Sequence, residues 1–391
     1  MDNWLAFGDE LGPEKVFHVY DPSTGMRGVI VVDTTLMGIA GGGTRMLPDI
    51  TTEEIFGLAR AMTYKFATLD FPVGGAKAGI WADPALTGQK RIDVLRSFGK
   101  AVKPLLSTGI TVAADIGTDA RDVATIYEGA EVPLQSTGLA LEEIDGEPLE
   151  NHATGYGVVV AAKAALEQAG MDIKGASVGI EGFGKVGGGT ALYTSREGAK
   201  VVAISTLEGT LYDEDGLDVH KLLTLRKQYG DRAIKQYGTG KLLDKGEIYF
   251  LPVDVMIPGA RPHVIDRHNA AKVKAKVISS IANIPITEEA EEILFDRGIL
   301  SVPDFVSNAG GVLVAVVDIL GGTADDVFRA LREIIGSNVR DILANALKEH
   351  INPRALAVKR AREKVMKIRK EGEGTLDLDV LLEIARQRLN L

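Results

Sequence analysis

Residues 177–188 read SVGIEGFGKVGG, and this segment decides the fold class. Gly182, Gly184 and Gly187 have the spacing G-x-G-x-x-G, between an apolar run and the helical pattern TALYTSREG. Such glycines allow a tight strand-to-helix turn and let a pyrophosphate approach the helix N-terminus. The next apolar run, AKVVAIS at residues 199–205, closes a unit of about 30 residues, the length of a dinucleotide-binding unit. A tight turn without a ligand is the alternative, but this context favours a cofactor site formed by Gly182, Phe183, Gly184, Lys185, Val186 and Gly187.

The tip of the second strand bears on the choice between NAD and NADP. NAD-preferring proteins usually have an acid there, which holds the ribose 2′-hydroxyl. Here Ser205 and Thr206 occupy the tip, and Glu208 follows shortly. The missing acid removes one source of repulsion against a 2′-phosphate, but no Arg or Lys follows in the turn to attract it. The sequence therefore predicts NAD or NADP, with a slight lean to NADP.

The pattern along the chain predicts a two-domain α/β protein. From residue 150 to about 318, short apolar runs alternate with helical segments, which is typical of a mainly parallel sheet. Residues 1–140 contain strands and helices of their own, and residues 319–391 are largely helical. We expect a substrate-binding and oligomerisation domain from 1–140 plus 319–391, and a Rossmann-type domain at 150–318. Residues 132–150, which are irregular and contain Pro, Gly and acidic residues, are interpreted as the approach to the domain boundary.

Composition excludes several classes of function. The chain has 391 residues, 45% of them hydrophobic, and a formal net charge of -10. That charge argues against nonspecific nucleic-acid binding. The spacing of the basic run KRAREKVMKIRK (359–370) fits the solvent-exposed face of an amphipathic helix better than a nucleic-acid-binding patch. The apolar runs are too short to span a membrane, and the acidic N-terminus does not fit a secretory signal. With no cysteine, disulfides and thiolate chemistry are excluded. We expect a cytoplasmic protein with no metal site.

Two lysines and one aspartate are candidate catalytic residues. Lys65 ends a predicted helix, Lys77 lies in the following glycine turn FPVGGAKAGI, and Asp115 ends the predicted strand TVAAD. Each has an ordinary alternative: Lys65 could be a surface lysine and Asp115 a helix cap. Lys77 is harder to explain, because it stands among small and apolar residues without an acid beside it in the sequence.

Eight motifs together resemble the glutamate/leucine/phenylalanine/valine dehydrogenases. They are GGGTRMLPD, LARAMTYKFA, PVGGAKAGI, ADIGTDARD, ATGYGV, GFGKVG, SSIANIPIT and PDFVSNAGGV, which occur in the order found in that family. The compact N-terminus is more similar to the leucine and phenylalanine enzymes than to the glutamate enzymes. Phe66 is a departure, since many relatives have Asn there.

The resemblance implies reversible oxidative deamination of an L-amino acid to a 2-oxo acid and ammonia, by a homo-oligomer that uses NAD or NADP. By that likeness Lys77 is the base that activates water and Asp115 moves protons to and from the amino group. Burial and a nearby second cation, expected to be Lys65, would lower the pKa of Lys77 toward the working pH. The other implied contacts are Lys65, Gly42 and Gly43 with the substrate carboxylate, Asn283 and Asn308 near nicotinamide and substrate, and Thr154 with the cofactor.

The implied side-chain pocket points away from glutamate. Members that act on glutamate hold its γ-carboxylate with a Lys and a Ser, and the matching positions here are Gly41 and Ala315. A carboxylate desolvated without either partner would cost several kcal/mol by order of magnitude. Since Gly41, Ala113, Val312 and Ala315 are small or apolar, we expect an amino acid with a large apolar side chain. A glutamate dehydrogenase, an enzyme that couples an aromatic oxo acid to another amine and a non-catalytic dinucleotide-sensing regulator are the alternatives.

Overall fold

The computed structural model describes residues 8–371 and 378–391. Residues 1–7, part of the segment considered for a secretory signal, lie outside that range. The strands are β1 Lys15–Asp21, β2 Met26–Val32, β3 Ala40–Met46, β4 Gly74–Ile80, β5 Ile110–Ala114, β6 Glu143–Ile144, β7 Glu147–Pro148, β8 Ser177–Glu181, β9 Lys200–Thr206, β10 Gly209–Tyr212, β11 Lys241–Leu243, β12 Val255–Ile257, β13 Val277–Ser279 and β14 Leu300–Val302.

The helices alternate with these strands through most of the chain. They are α1 Thr52–Thr68, α2 Gly88–Leu106, α3 Ala120–Ala130, α4 Leu149–Gln168, α5 Lys185–Arg196, α6 Val219–Tyr229, α7 Ala233–Gln236, α8 Glu288–Asp296, α9 Asp304–Ser307, α10 Gly310–Ile319, α11 Ala324–Ala330, α12 Gly336–Glu349, α13 Pro353–Glu371 and α14 Leu378–Leu389. In the part of the chain that the structure describes, none of them is both long and apolar enough to cross a membrane.

The chain forms two compact units. Unit 1 comprises Met1–Thr137 and Val358–Leu391, less the undescribed residues, and unit 2 is Gly138–Ala357. The C-terminal helices thus return to unit 1, as predicted, but the return occurs later than residue 319. Residues 319–357 belong to unit 2 because α11 and α12 both pack against the long apolar helix α4.

Unit 1 is built on a five-stranded sheet in the order β1-β2-β4-β3-β5. β4 pairs antiparallel with β2 and parallel with β3, and β3 pairs parallel with β5. Helices α2 and α3 cover one face around the buried Phe98. Helix α1 covers the other, where Ile55 and Leu58 pack on Val29 and Val31. The pattern TTEEIFGLAR (51–60) predicts Thr51 or Thr52 as a helix N-cap, and the Thr51 side chain caps α1 by accepting a hydrogen bond from the amide of Glu54.

The C-terminal basic run contacts acidic residues of unit 1 instead of only facing water. Arg362 lies 3.1 Å from a carboxylate oxygen of Asp9, and Arg369 lies 3.0 Å from Glu14. The interpretation of this run as a solvated face is therefore incomplete. The sequence could not supply the partners, because they come from the opposite end of the chain.

Unit 2 is built on a seven-stranded sheet in the order β11-β10-β9-β8-β12-β13-β14. Five adjacent strands pair in parallel, in the order β9, β8, β12, β13 and β14. Strands β10 and β11 add an antiparallel edge beside β9. The chain order reverses at β8, so the turn that follows β8 lies at a topological switch point, where doubly wound sheets bind ligands.

Candidate active site

Lys77 and Asp115 form a close pair on the α1 face of the unit 1 sheet. The lysine nitrogen lies 2.8 Å from Asp115 Oδ2, and Lys77 is 5% exposed. The prediction that Lys77 lies in a glycine turn was wrong. Lys77 lies inside strand β4, whose glycines pair with β3. Asp115 directly follows β5, where the parallel pairing of β3 with β4 and β5 brings it beside Lys77.

Arg45 is a third member of this cluster, and the sequence analysis missed it. Its Nε lies 3.1 Å from the same Asp115 oxygen, and its Nη1 contacts Glu54 in the first turn of α1. Arg45 is almost fully buried. The motif GGGTRMLPD contained it, and a signal was available. Residues two apart on a strand point to the same face, so Arg45 shares a face with Gly43, which adjoins Lys77. A charged residue in the small and apolar run AGGGTRM is the signal.

The cluster shifts the pKa of both partners. Burial lowers the pKa of Lys77, Arg45 lowers it further, and Asp115 opposes them by raising it. The pKa of Lys77 is lowered overall. Burial would raise the pKa of Asp115, but Lys77 and Arg45 outweigh burial and hold that pKa well below its usual range. Asp115 is therefore a carboxylate at neutral pH, and the second cation resolved beside Lys77 is Arg45, where Lys65 had been expected.

Glycines on β3 allow its backbone to pack closely against the pair. A Cβ at Gly43 would lie 3.0 Å from Lys77 Nζ and 2.7 Å from Asp115 Cβ. A Cβ at Gly42 would lie 1.7 Å from the carbonyl oxygen of Ala76, so only glycine fits there. Ala113, which pairs with Gly43 on β5, is exposed. The implied substrate positions Gly43 and Ala113 thus adjoin the candidate catalytic side chains.

Gly41 has an apolar ring and a hydroxyl as neighbours. The atoms nearest to a Cβ at Gly41 would be Thr111 Oγ1 at 2.8 Å and two ring carbons of Phe66, the nearer at 3.5 Å. Phe66 therefore occupies space beside the position at which glutamate-specific relatives have a lysine. The departure at Phe66 was evident from the sequence, but the position of its ring and the nearby Thr111 depend on the fold.

Lys65 is buried in the last turn of α1. Its helical neighbours fix where it lies. Met62 Cγ would lie 3.3 Å from a Cβ at Gly42, and the Phe66 ring adjoins Gly41. Residues three and four apart share a helix face. Lys65, which follows Met62 by three positions, is therefore on the helix face that covers this part of β3.

In unit 2, the three glycines of the turn after β8 have three distinct roles. Gly182 has φ +84°, a left-handed conformation that favours glycine. A Cβ at Gly187 would lie 2.0 Å from the Gly182 carbonyl oxygen, so close packing of α5 requires glycine there. A Cβ at Gly184, the N-cap of α5, would have nothing within 4 Å. That open space at a helix N-terminus fits a pyrophosphate.

The rest of this turn is held in place by side-chain contacts. Phe183 is buried, and the Arg226 guanidinium lies 5.8 Å from the centre of its ring. Arg226 also donates a hydrogen bond to the carbonyl of Gly184. Lys185 and Val186 form the first residues of α5. These contacts fix the shape of the turn.

Two cations from later in the chain, Lys235 and Arg232, lie near the tip of β9. The buried Thr206 hydroxyl donates to the Asp231 carbonyl and accepts a hydrogen bond from the Glu208 amide, so it is engaged in ordering the tip. Lys235 forms an ion pair with Glu208, and Arg232 also lowers the pKa of Glu208. Ser205, which precedes Thr206, is fully buried.

Asn283 and Asn308 meet in unit 2. Asn308 Nδ2 donates to Asn283 Oδ1 at 2.9 Å and to the carbonyl of Ile281 at 3.1 Å. The amide of Ile284 donates to Asp304 Oδ2, which holds the loop from its other side. The structure thus brings together two residues that the resemblance had placed near the nicotinamide.

The remaining unit 2 residues lie along α10 and α4. Thr154 Oγ1 would lie 3.5 Å from a Cβ at Gly311, at the start of α10. Ala315 is exposed and Val312 is partly buried, so both face away from the fully buried side of α10. Among residues 8–371 and 378–391, no group of three or more His, Asp or Glu side chains is arranged to bind a metal ion.

Comparison with known proteins identifies the family. A family described as "Glutamate/Leucine/Phenylalanine/Valine dehydrogenase" matches residues 146–372, and its N-terminal part, described as a dimerisation domain, matches residues 13–131. A glutamate dehydrogenase of Thermotoga maritima is 34% identical over 336 residues, which cover 82% of this chain and 80% of the relative. An NADP-specific glutamate dehydrogenase of Saccharolobus shibatae is 33% identical over 78% of this chain and 75% of its own.

Solved structures agree with this assignment. A hetero-hexameric glutamate dehydrogenase from Thermus thermophilus, in a leucine-bound form, has a TM-score of 0.80 and 27% identity, with 93% of this chain and 91% of that chain covered. An L-tryptophan dehydrogenase from Nostoc punctiforme shares the fold, with a TM-score of 0.67 and 24% identity over 92% and 98% of the two chains. The chain belongs to the glutamate/leucine/phenylalanine/valine dehydrogenase family, the NAD(P)-dependent oxidoreductases that act on amino acids.

Proposed function

We propose that this enzyme catalyses the reversible oxidative deamination of an L-amino acid with a large apolar side chain. The observation that carries the proposal is the buried Lys77–Asp115 pair, in which the lysine nitrogen lies 2.8 Å from the carboxylate and the pKa of the lysine is lowered. A regulator that only binds dinucleotides would have no need for such a pair. A lowered lysine pKa is what a base requires near neutral pH.

The roles of the unit 1 side chains follow from their chemistry. Lys65 binds the substrate α-carboxylate, and Asp115 takes a proton from the amino group. When bound, a nicotinamide cofactor would supply the acceptor for the hydride of the α-carbon, and loss of that hydride would leave the substrate as an imine. Lys77, in its neutral form, then accepts a proton from water while the water oxygen bonds to the imine carbon. Asp115 then returns its proton to the nitrogen of this adduct, the C–N bond breaks to release ammonia, and the hydroxyl proton passes to the Asp115 carboxylate as the 2-oxo acid forms.

The surroundings of Gly41 support an apolar substrate. Its nearest side chains are the Phe66 ring and the Thr111 hydroxyl, and neither can neutralise a γ-carboxylate. Packing of an apolar substrate side chain on the ring would be worth about 25 cal/mol per Å² of buried surface. Glutamate is the alternative substrate, and it is supported by the two relatives that are named glutamate dehydrogenases.

We propose NADP as the preferred cofactor. Thr206 ends β9 where NAD-preferring proteins usually have an acid, and the acid that follows, Glu208, is paired with Lys235 and lies near Arg232. A 2′-phosphate could take over Lys235 from Glu208, since a phosphate carries more charge than a carboxylate. Gly182, Gly184 and Gly187 would hold the pyrophosphate. We also propose that the enzyme is a homo-oligomer, which the dimerisation domain of its family supports.

The deciding experiment is an assay of the wild-type enzyme with a panel of amino acids and both cofactors. We expect leucine or phenylalanine to exceed glutamate in kcat/KM by at least about tenfold, or 1.4 kcal/mol. Glutamate preference would overturn the substrate class but leave the reaction intact. Absence of turnover with every amino acid, in protein that binds the cofactor, would favour the regulator.

A further inference from the structure

Arg45 joins the candidate base to the first turn of α1 through a chain of charged contacts. Its guanidinium spans Asp115 and Glu54, with Nε on the first and Nη1 on the second. Lys77 reaches the same Asp115 oxygen from the neighbouring strand. One carboxylate oxygen is therefore shared by two buried cations.

We propose that Arg45 is a positioning residue for catalysis: it fixes the Asp115 carboxylate against Lys77 and supplies the charge that keeps Lys77 available as a base. This inference rests on the proposed function and names a residue on which that function depends. Arg45 does not have to touch substrate or cofactor for this role.

The geometry explains why an arginine is needed. The planar guanidinium can hold two carboxylates at once in fixed directions. The backbone of Asp115 is anchored separately, since its amide donates to Thr118 Oγ1 and that hydroxyl donates to the Thr44 carbonyl on β3. Backbone and side chain of Asp115 are thus both tied to β3, one through Thr118 and the other through Arg45.

The electrostatics point in the same direction. Because Arg45 Nε and Lys77 Nζ are both within hydrogen-bond distance of one oxygen, they are at most about 6 Å apart, where like charges disfavour each other. The charged groups that act on Lys77 are Arg45 from β3, Asp115 after β5 and Glu54 from α1, and α1 also contains the buried Lys65. Arg45 lowers the pKa of Lys77, whereas Asp115 and Glu54 raise it.

The test is the pH profile of kcat/KM for the best amino acid substrate, in wild-type enzyme and Arg45→Gln. Loss of the positive charge should move the acid limb of the profile upward by about one pH unit. Below that limb, activity should fall roughly tenfold, and much of it should return at higher pH. KM for the amino acid should change less than about threefold, because Lys65 binds the carboxylate in the proposed mechanism.

Arg60→Gln is a matched control. Arg60 is also a mostly buried guanidinium that spans two carboxylates, those of Asp33 and Asp9, but neither belongs to the catalytic pair. Its loss should lower the Tm without moving the acid limb. An unchanged limb in Arg45→Gln, or an equal shift in Arg60→Gln, would overturn the proposal.

Arg45→Lys keeps the test decisive if Arg45→Gln does not fold. The lysine retains the charge but cannot span both carboxylates, so the limb should stay near its wild-type position while kcat falls roughly tenfold. Full kcat in Arg45→Lys would show that positioning by Arg45 is dispensable. Inactivity of the wild-type enzyme with all amino acids would instead refute the proposed function itself.

Discussion

Lys77 and Asp115 are far apart in the sequence, yet Lys77 Nζ lies 2.8 Å from Asp115 Oδ2 in the folded chain. The pair forms because β3 lies between the strands that carry them and pairs in parallel with both. Gly43, on that middle strand, has no side chain to separate them. The fold of unit 1 thus brings together a lysine and an aspartate whose proximity is not evident from the sequence.

The first prediction concerns the pH dependence of the wild-type enzyme. Lys77 acts in its neutral form, so kcat/KM should rise with pH through the pKa of this lysine. Burial and Arg45 lower that pKa. The acid limb should therefore fall below the ordinary lysine value of about 10.4. A profile between pH 6 and 11 measures it, and a limb at or above the ordinary value would contradict the assignment of Lys77 as base.

The second prediction separates two glycines of the cofactor turn. Gly187→Ala places a methyl group against the Gly182 carbonyl, so the turn must shift and the Tm should fall by at least about 4 °C. Gly184→Ala places its methyl group in open space, so the Tm should stay within about 2 °C. Affinity for NADP should nevertheless fall at least about tenfold in Gly184→Ala, since the methyl group would occupy the space in which we propose that the pyrophosphate binds. Normal NADP binding by Gly184→Ala would place the cofactor elsewhere.

The third prediction concerns the choice of cofactor. Lys235→Gln should raise KM for NADP at least about tenfold, because it removes a cation proposed to contact the 2′-phosphate. KM for NAD should change little. Lys200→Gln is the control, since Lys200 lies exposed at the opposite end of β9. Equal effects of Lys235→Gln on both cofactors would exclude a role in discrimination.

The order of strands and helices was predictable because it depends on local patterns. The glycine spacing at 182–187, the strand on each side of it and the Thr51 cap of α1 all depend on neighbouring residues, and the structure agrees with each. Asp119 likewise caps α3, with the Asp122 side chain completing the capping box. Such features need no knowledge of tertiary contacts.

The site was only partly predictable, because its electrostatics arise between distant segments. Arg45 looked like one more residue of a glycine-rich motif until the sheet placed it beside Asp115. Lys235 is remote in sequence from the tip of β9, and only the fold brings it to Glu208. Lys77 was expected in a turn because glycines surround it, but those glycines serve close packing inside a strand.

Turnover of Lys77→Ala tests the central claim most directly. The base acts after substrates have bound, so this variant should bind NADP with nearly wild-type affinity while its kcat falls by roughly 10²–10⁴. Lys65→Ala is the comparison, since loss of the carboxylate partner should also raise KM for the amino acid. If Lys77→Ala kept more than about a tenth of the wild-type kcat, a loss far below what a general base contributes, then Lys77 would not be the base. A loss of at least about a hundredfold in kcat with NADP binding preserved is the result that the Lys77–Asp115 pair predicts.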